Sequence, residues 1–139
     1  MEEHSAALVT DERRQADAED HVDEEILGEV LMLMEDESAD GMMKACDLFR
    51  SGVPERFLDI DAALAEGRFD DAARASHSLR GSAGAFGARR LSLLGHRLEQ
   101  LCRECDGPSA VLVVEEMRAE YLVFQAILDG RLAELARDR

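Results

Sequence analysis

The chain has 139 residues, 34% of them charged and 46% hydrophobic, a length and balance suited to one folded domain with its own core. Its 31 acidic residues against 16 basic ones give a net charge of −15, which argues against sequence-independent binding to nucleic acid or to an anionic membrane surface. No apolar run approaches the roughly 20 residues that span a bilayer, and the start Met1-Glu2-Glu3-His4 has no basic stretch leading into an apolar one, so a cytoplasmic protein with no membrane association is expected.

Residues 1–21 are polar, acidic and without periodicity, which predicts a flexible, disordered acidic tail with His4 and His21 as solvated side chains. Residues 22–139 read as the folded domain. From Asp23 to about Glu35, the residues Ile26, Leu27, Val30, Leu31 and Met34 trace one apolar stripe. Asp23, Glu24 and Glu25 stand where a helix dipole favours acids, so a short first helix is expected. After Asp36-Glu37-Ser38, the positions Met42, Cys46, Phe49, Val53, Phe57, Ile60 and Leu64 repeat in fours and threes, the spacing of a bundle seam. Gly52 and Pro54 interrupt that seam and predict a kink, or a division into two helices, near Ser51. Glu66-Gly67-Arg68 supplies a glycine stop.

A third helix is expected from about Phe69 to Phe86, a turn at Gly87-Ala88, and a fourth helix from about Arg89 to Cys105 with Leu91, Leu94, Leu98, Leu101 and Cys102 facing the core. Asp106-Gly107-Pro108-Ser109 reads as a turn, followed by a last helix from about Ala110 to Arg137 carrying Val114, Met117, Tyr121, Phe124, Leu128 and Leu135. No alternating β-branched run survives, so the chain is all-α. Short turns between long helices make neighbours antiparallel, which gives an up-down-up-down four-helix bundle with the short N-terminal helix as a cap.

Cys46, Cys102 and Cys105 are an odd number in a chain without an export signal, so a disulfide framework is not expected. Cys102 and Cys105 form a C-x-x-C with His96 nearby, but no second ligand pair accompanies them. No metal site is expected, and the cysteines read as buried small hydrophobes. His96 reads as a helix-surface residue.

The local rules break at residues 76–88, Ser-His-Ser-Leu-Arg-Gly-Ser-Ala-Gly-Ala-Phe-Gly-Ala. Ala72, Ala75, Ser76, Leu79, Ala83 and Phe86 keep helical spacing, yet Gly81 and Gly84 each cost about 1 kcal/mol there relative to alanine. Positions three, four and seven apart share a helix face, so His77 has Arg74 and Arg80 beside it and Ala73, Gly81 and Gly84 above and below. That is an imidazole on a bare patch, open to another protein, with two guanidinium groups able to bond the oxygens of a phosphoryl group placed on it. The segment 71–105 that carries it holds six bases and three acids, whereas residues 1–70 and 106–139 are both net negative.

His77, Leu79, Gly81, Ser82, Gly87 and Ala88 resemble the signature of histidine phosphotransfer (HPt) domains, His-x-Leu-Lys-Gly-Ser-Ser followed by Gly-Ala. Arg80 stands for the usual lysine and Ala83 for the second serine. The resemblance extends through the preceding helical hairpin and the following Leu-rich helix, from about Asp23 to Leu135. It implies that His77 accepts a phosphoryl group, supported by Arg74, Arg80, Gly81, Ser82 and Gly84. It also implies that Glu99, at the position of a family glutamine or glutamate, accepts from Nδ1–H and leaves Nε2 as nucleophile. The plain alternative for Glu99 is a surface glutamate paired with Arg103 four residues on.

No Walker A motif, kinase glycine loop or aspartate-rich strand end is present, and the glycines at 81, 84 and 87 follow no strand, so the chain is not expected to bind ATP or a dinucleotide. It is expected to have no cofactor of its own. By resemblance, the partner is a receiver domain of a response regulator or a hybrid histidine kinase, which would supply magnesium and the acidic pocket, and the protein is expected to be a monomer and a relay intermediate rather than an enzyme. Two other readings stand beside this one: a scaffold that docks receivers without carrying phosphate, and a phosphorylation domain served by a kinase on another chain.

Overall fold

The computed structural model describes residues 21–34 and 39–137, with backbone alone for residues 39–42. Five helices occur in this span and no strand is found among the described residues: α1 (Glu24–Met34), α2 (Ala39–Ala65), α3 (Phe69–Ala85), α4 (Arg89–Arg103) and α5 (Gly107–Arg137). Helices α2 to α5 form the four-helix bundle. Each packs on its neighbour in sequence, and α2 meets α5 to close the ring. Residues 1–20 of the expected acidic tail lie outside the described residues.

The core follows the seam read from the sequence. Phe49, Val53, Phe57 and Ile60 of α2, Leu79 of α3, Leu91, Leu98 and Cys102 of α4, and Val114, Met117, Phe124 and Leu128 of α5 are all buried. Phe49 anchors an aromatic cluster, with ring centroids 4.8 Å from Phe86 and 5.8 Å from Phe124. Gly107 and Pro108, expected as part of a turn, instead open α5. Asp106 caps this start by accepting from the Ser109 amide at 3.2 Å, and proline is tolerated there because first-turn amides need no intrahelical partner.

Pro54 does not divide α2, which runs unbroken for 27 residues with the proline inside. Proline removes the amide that would have bonded the carbonyl of Arg50. That carbonyl has another donor, because the Tyr121 hydroxyl of α5 reaches it at 3.1 Å. A helix–helix contact thus replaces the missing bond, and the two helices are pinned where the backbone is weakest.

The N-terminal helix is clamped onto the far end of the bundle. Gly87 adopts φ +79°, and a Cβ there would stand 2.9 Å from the Asp23 carbonyl oxygen and 3.0 Å from the Leu27 nitrogen. The Asp23 amide donates to the Gly87 carbonyl at 2.8 Å, and Arg131 holds Glu24 with both guanidinium nitrogens at 2.6 and 2.9 Å. His21, expected as a solvated tail residue, is engaged instead. Its Nδ1 lies 2.6 Å from Oε2 of Glu120, a buried carboxylate whose other oxygen faces Arg90 at 3.4 Å. A buried carboxylate needs such partners, and the tail end supplies one.

The cysteines divide in their environments. Cys46 and Cys102 are buried and their thiols are pushed up by desolvation, whereas Cys105 is exposed, contrary to expectation. It takes φ 58° at the end of α4, where the Asp106 amide bonds back to the Leu101 carbonyl at 2.9 Å. The position turns the chain out of the helix and therefore faces solvent.

Two stability changes follow from these contacts. Tyr121→Phe should cost about 1–2 kcal/mol by leaving the Arg50 carbonyl unpaired, read as a lowered urea midpoint with unchanged slope. Gly87→Ala should cost about 2 kcal/mol or more through backbone strain and collision with Asp23, and calorimetry should show the corresponding fall in Tm.

Candidate functional site

Helices α3 and α4 approach each other closely at Gly95. Gly95 of α4 faces α3, where a Cβ would meet Arg80 Cβ at 3.2 Å and Arg80 Cα at 3.4 Å. One turn away, the buried Ser76 hydroxyl donates to the Gly95 carbonyl at 2.7 Å, and Ser92 Oγ donates to the Arg80 carbonyl at 3.2 Å. A missing side chain and two hydroxyl bonds bring the helices together. As a result, the side chains of α4 flanking Gly95 lie against those of α3 flanking Arg80.

At that seam stands His77, with 61% of its side chain exposed. Its Nδ1 lies 3.1 Å from Glu99 Oε1 and 2.9 Å from Arg80 Nη2. The other arm of the same guanidinium, Nη1, is 2.7 Å from His96 Nδ1. Arginine can only donate, so His96 Nδ1 accepts there. Glu99 is mostly buried and its second oxygen accepts from Arg103 at 2.8 Å, so both descriptions of Glu99 coexist: it pairs with Arg103 and it faces the histidine.

The Arg103 hydrogen bond holds the Glu99 carboxyl below the usual carboxylate range. Burial opposes this, and His77 and Arg80 add to the lowering. The carboxylate is therefore ionised at neutral pH, an acceptor only.

The sequence-predicted site residues separate into two groups. Arg80 and Glu99 gather at His77. Arg74 is exposed and lines a separate cleft of about 350 Å³ with Arg56, Asp59, Arg68 and Asp71 on the α2 side of α3. Gly81 and Ser82 are exposed, a Cβ on Gly81 would meet nothing within 4 Å, and one on Gly84 would make only an ordinary contact with Ser92 Oγ at 3.5 Å. No packing inside the chain requires these two glycines; the space they leave is on the outer surface. Ser76, Gly95 and His96 join the seam around the site although no motif marks them. Gly95 sits in the leucine stripe between Leu91 and Leu98, and Ser76 lies on the buried stripe with Ala72, Leu79 and Ala83, so a gap and a hydroxyl on apolar faces were the available signals.

Among the described residues, no group of three or more His, Cys, Asp or Glu is placed to hold a metal ion, and no helix is long and apolar enough to cross a membrane. The Nδ1 edge of His77 is enclosed by protein groups, while most of the ring stands clear on a helix face. The fold and this surface define a helical bundle presenting one orientated imidazole.

The family model of the Hpt domain matches residues 44–136, and the chain belongs to the Hpt family, with a phosphorelay role. Its fold is shared by solved structures of low identity. The histidine-containing phosphotransfer protein HptB of Pseudomonas aeruginosa PAO1 matches with TM-score 0.72 at 24% identity, over 81% of this chain and 96% of that one. ZmHP2 from maize matches with TM-score 0.76 at 22% identity, over 88% and 90%. A protein from rice described as a putative histidine-containing phosphotransfer protein matches with TM-score 0.74 at 17% identity, over 88% of each chain. No curated protein matches the sequence.

The depressed Glu99 carboxyl has a pH consequence. A group with a lowered folded pKa adds stability that is fully present above its unfolded value, about 4.3, and is lost as pH falls through the folded one. The stability difference between wild type and Glu99→Gln, from urea unfolding, should therefore be largest near neutrality and shrink on the acid side of about pH 4.

Proposed function

We propose that His77 is the phosphoryl acceptor, exchanging its group in both directions with the aspartate of a receiver domain in a response regulator or hybrid kinase. With Nδ1–H donated to Glu99, the Nε2 lone pair attacks the phosphorus of the aspartyl phosphate. A nitrogen–phosphorus bond forms, the phosphorus–oxygen bond to aspartate breaks, and the aspartate leaves as carboxylate. The reverse attack by that carboxylate returns the group and regenerates the imidazole.

The observation that carries this reading is the exposed His77 ring with Nδ1 turned to Glu99 at 3.1 Å, which leaves Nε2 as the nitrogen facing a partner. The open surface over Gly81 and Gly84 supports close approach of another protein backbone. Magnesium and the acidic pocket are then supplied by the receiver, and Arg80 is the cation nearest the ring. The protein acts as a cytoplasmic monomer with no kinase activity of its own.

The test is transfer from a panel of phosphorylated receivers to the purified protein. Wild type should acquire acid-labile, base-stable label, His77→Gln should acquire none, and ATP alone should label neither. Receiver binding without label, under conditions that label another Hpt protein, would favour a scaffold. Label that requires a separate kinase and ATP, with poor transfer from receivers, would favour a kinase phosphorylation domain.

A further inference from the structure

Arg80 stands between the two histidines of this seam. Its Nη2 lies 2.9 Å from His77 Nδ1 and its Nη1 2.7 Å from His96 Nδ1. The two contacts are not equivalent. The ionised Glu99 Oε1 at 3.1 Å draws the His77 proton to Nδ1, and an N–H there offers arginine no lone pair. Arg80 meets that edge of the ring as a neighbouring charge, with Glu99 Oε1 as counter-ion 3.7 Å from Nη2. Among the described residues, the acceptor left to its N–H groups is His96 Nδ1.

The root of Arg80 is fixed, with its Cβ against Gly95 and its carbonyl bonded by Ser92, so the guanidinium moves by the outer torsions of the side chain. Hydrogen bonds to a charged acceptor are roughly twice as strong as those between neutral groups. A phosphoryl group on His77 Nε2 is such an acceptor, and it stands on the other edge of the ring from the one Arg80 occupies. To bond its oxygens, the guanidinium must leave His96.

We propose that His96 is a positioning residue that holds Arg80 on the Nδ1 side of His77 and competes with the phosphoryl group for it, so that His96 sets how much phosphoryl His77 keeps at equilibrium with its partner. The contact stands on geometry alone; its consequence for transfer rests on the function proposed above.

The experiment reads His96 Nδ1 by 15N NMR through its carbon-bound ring protons, at about pH 8.5, above the ordinary imidazole range. In wild type the nitrogen should resonate upfield, as an acceptor of an N–H does, and in Arg80→Ala it should move to the position of a free imidazole nitrogen. Phosphorylation of wild-type His77 by phosphoramidate, with loss of ammonia, should move it to the Arg80→Ala position, and the same treatment of His77→Gln should not. Equal shifts in wild type and Arg80→Ala overturn the contact, and an upfield shift that survives phosphorylation of His77 overturns the competition.

At equilibrium with a phosphorylated receiver, His96→Ala should raise the ratio of phosphorylated to free His77 by about fivefold, the effect of one ordinary hydrogen bond. His96→Asn, whose amide oxygen can replace Nδ1 as acceptor, should keep the wild-type ratio. In an Arg80→Ala background, His96→Ala should change nothing. His96 is exposed and Arg80→Ala keeps the Cβ that packs on Gly95, so the variants retain the seam. An unchanged or lowered ratio in His96→Ala overturns the proposal, as does a rise of the same size without Arg80. The NMR response with no label passed by any receiver removes the relay reading and leaves His96 as the group that holds Arg80.

Discussion

The close approach of α3 to α4 at Gly95 is the constraint on which the site depends. A Cβ at that position would crowd Arg80 Cβ at 3.2 Å, beside the Ser76 hydrogen bond to the Gly95 carbonyl. The carboxylate that faces His77 is borrowed across this seam. Glu99 lies one turn beyond Gly95, so moving the helices apart would leave His77 with Arg80 of its own helix but without the carboxylate. A hydrogen bond tolerates only a few tenths of an ångström, and packing here supplies that tolerance.

The site is a surface and not a cavity, which is consistent with how chemistry is divided in a relay. A chain that must give and take the same group gains little from enclosing it, since a pocket would exclude the partner that carries the other half of the reaction. What the bundle offers is an exposed imidazole on a rigid helix, with Glu99 and Arg80 against one of its nitrogens. The clamp at the other end serves that rigidity. Gly87, Asp23 and the Glu24–Arg131 pair fix the turn between α3 and α4, and the Tyr121 bond across Pro54 fixes α2 against α5.

The helices and their buried faces were legible because burial writes itself into spacing. Phe49, Val53, Phe57 and Ile60 announce a seam whatever they pack against, and the His77–Ala88 motif announces itself by glycines that a helix would not choose. Local readings failed where a distant residue decided the outcome. Pro54 argued for a break, and a hydroxyl 67 residues further along answered it. His21 looked like tail, and a buried glutamate in α5 made it part of the fold. Arg74 and Arg80 looked equivalent around His77, yet one lines the α2 cleft and the other spans two histidines.

The sequence by itself determined the order and inner faces of the helices and singled out His77, because periodicity and composition are properties of neighbouring residues. Only the tertiary structure decided which groups gather around that ring, Glu99 directly and His96 by way of Arg80. Glu99 and His96 are 22 and 19 residues from His77 in the chain, and no spacing rule says how deeply one helix settles into another. That depth is set by the absence of a side chain at Gly95, whose meaning appears only once α3 lies across it.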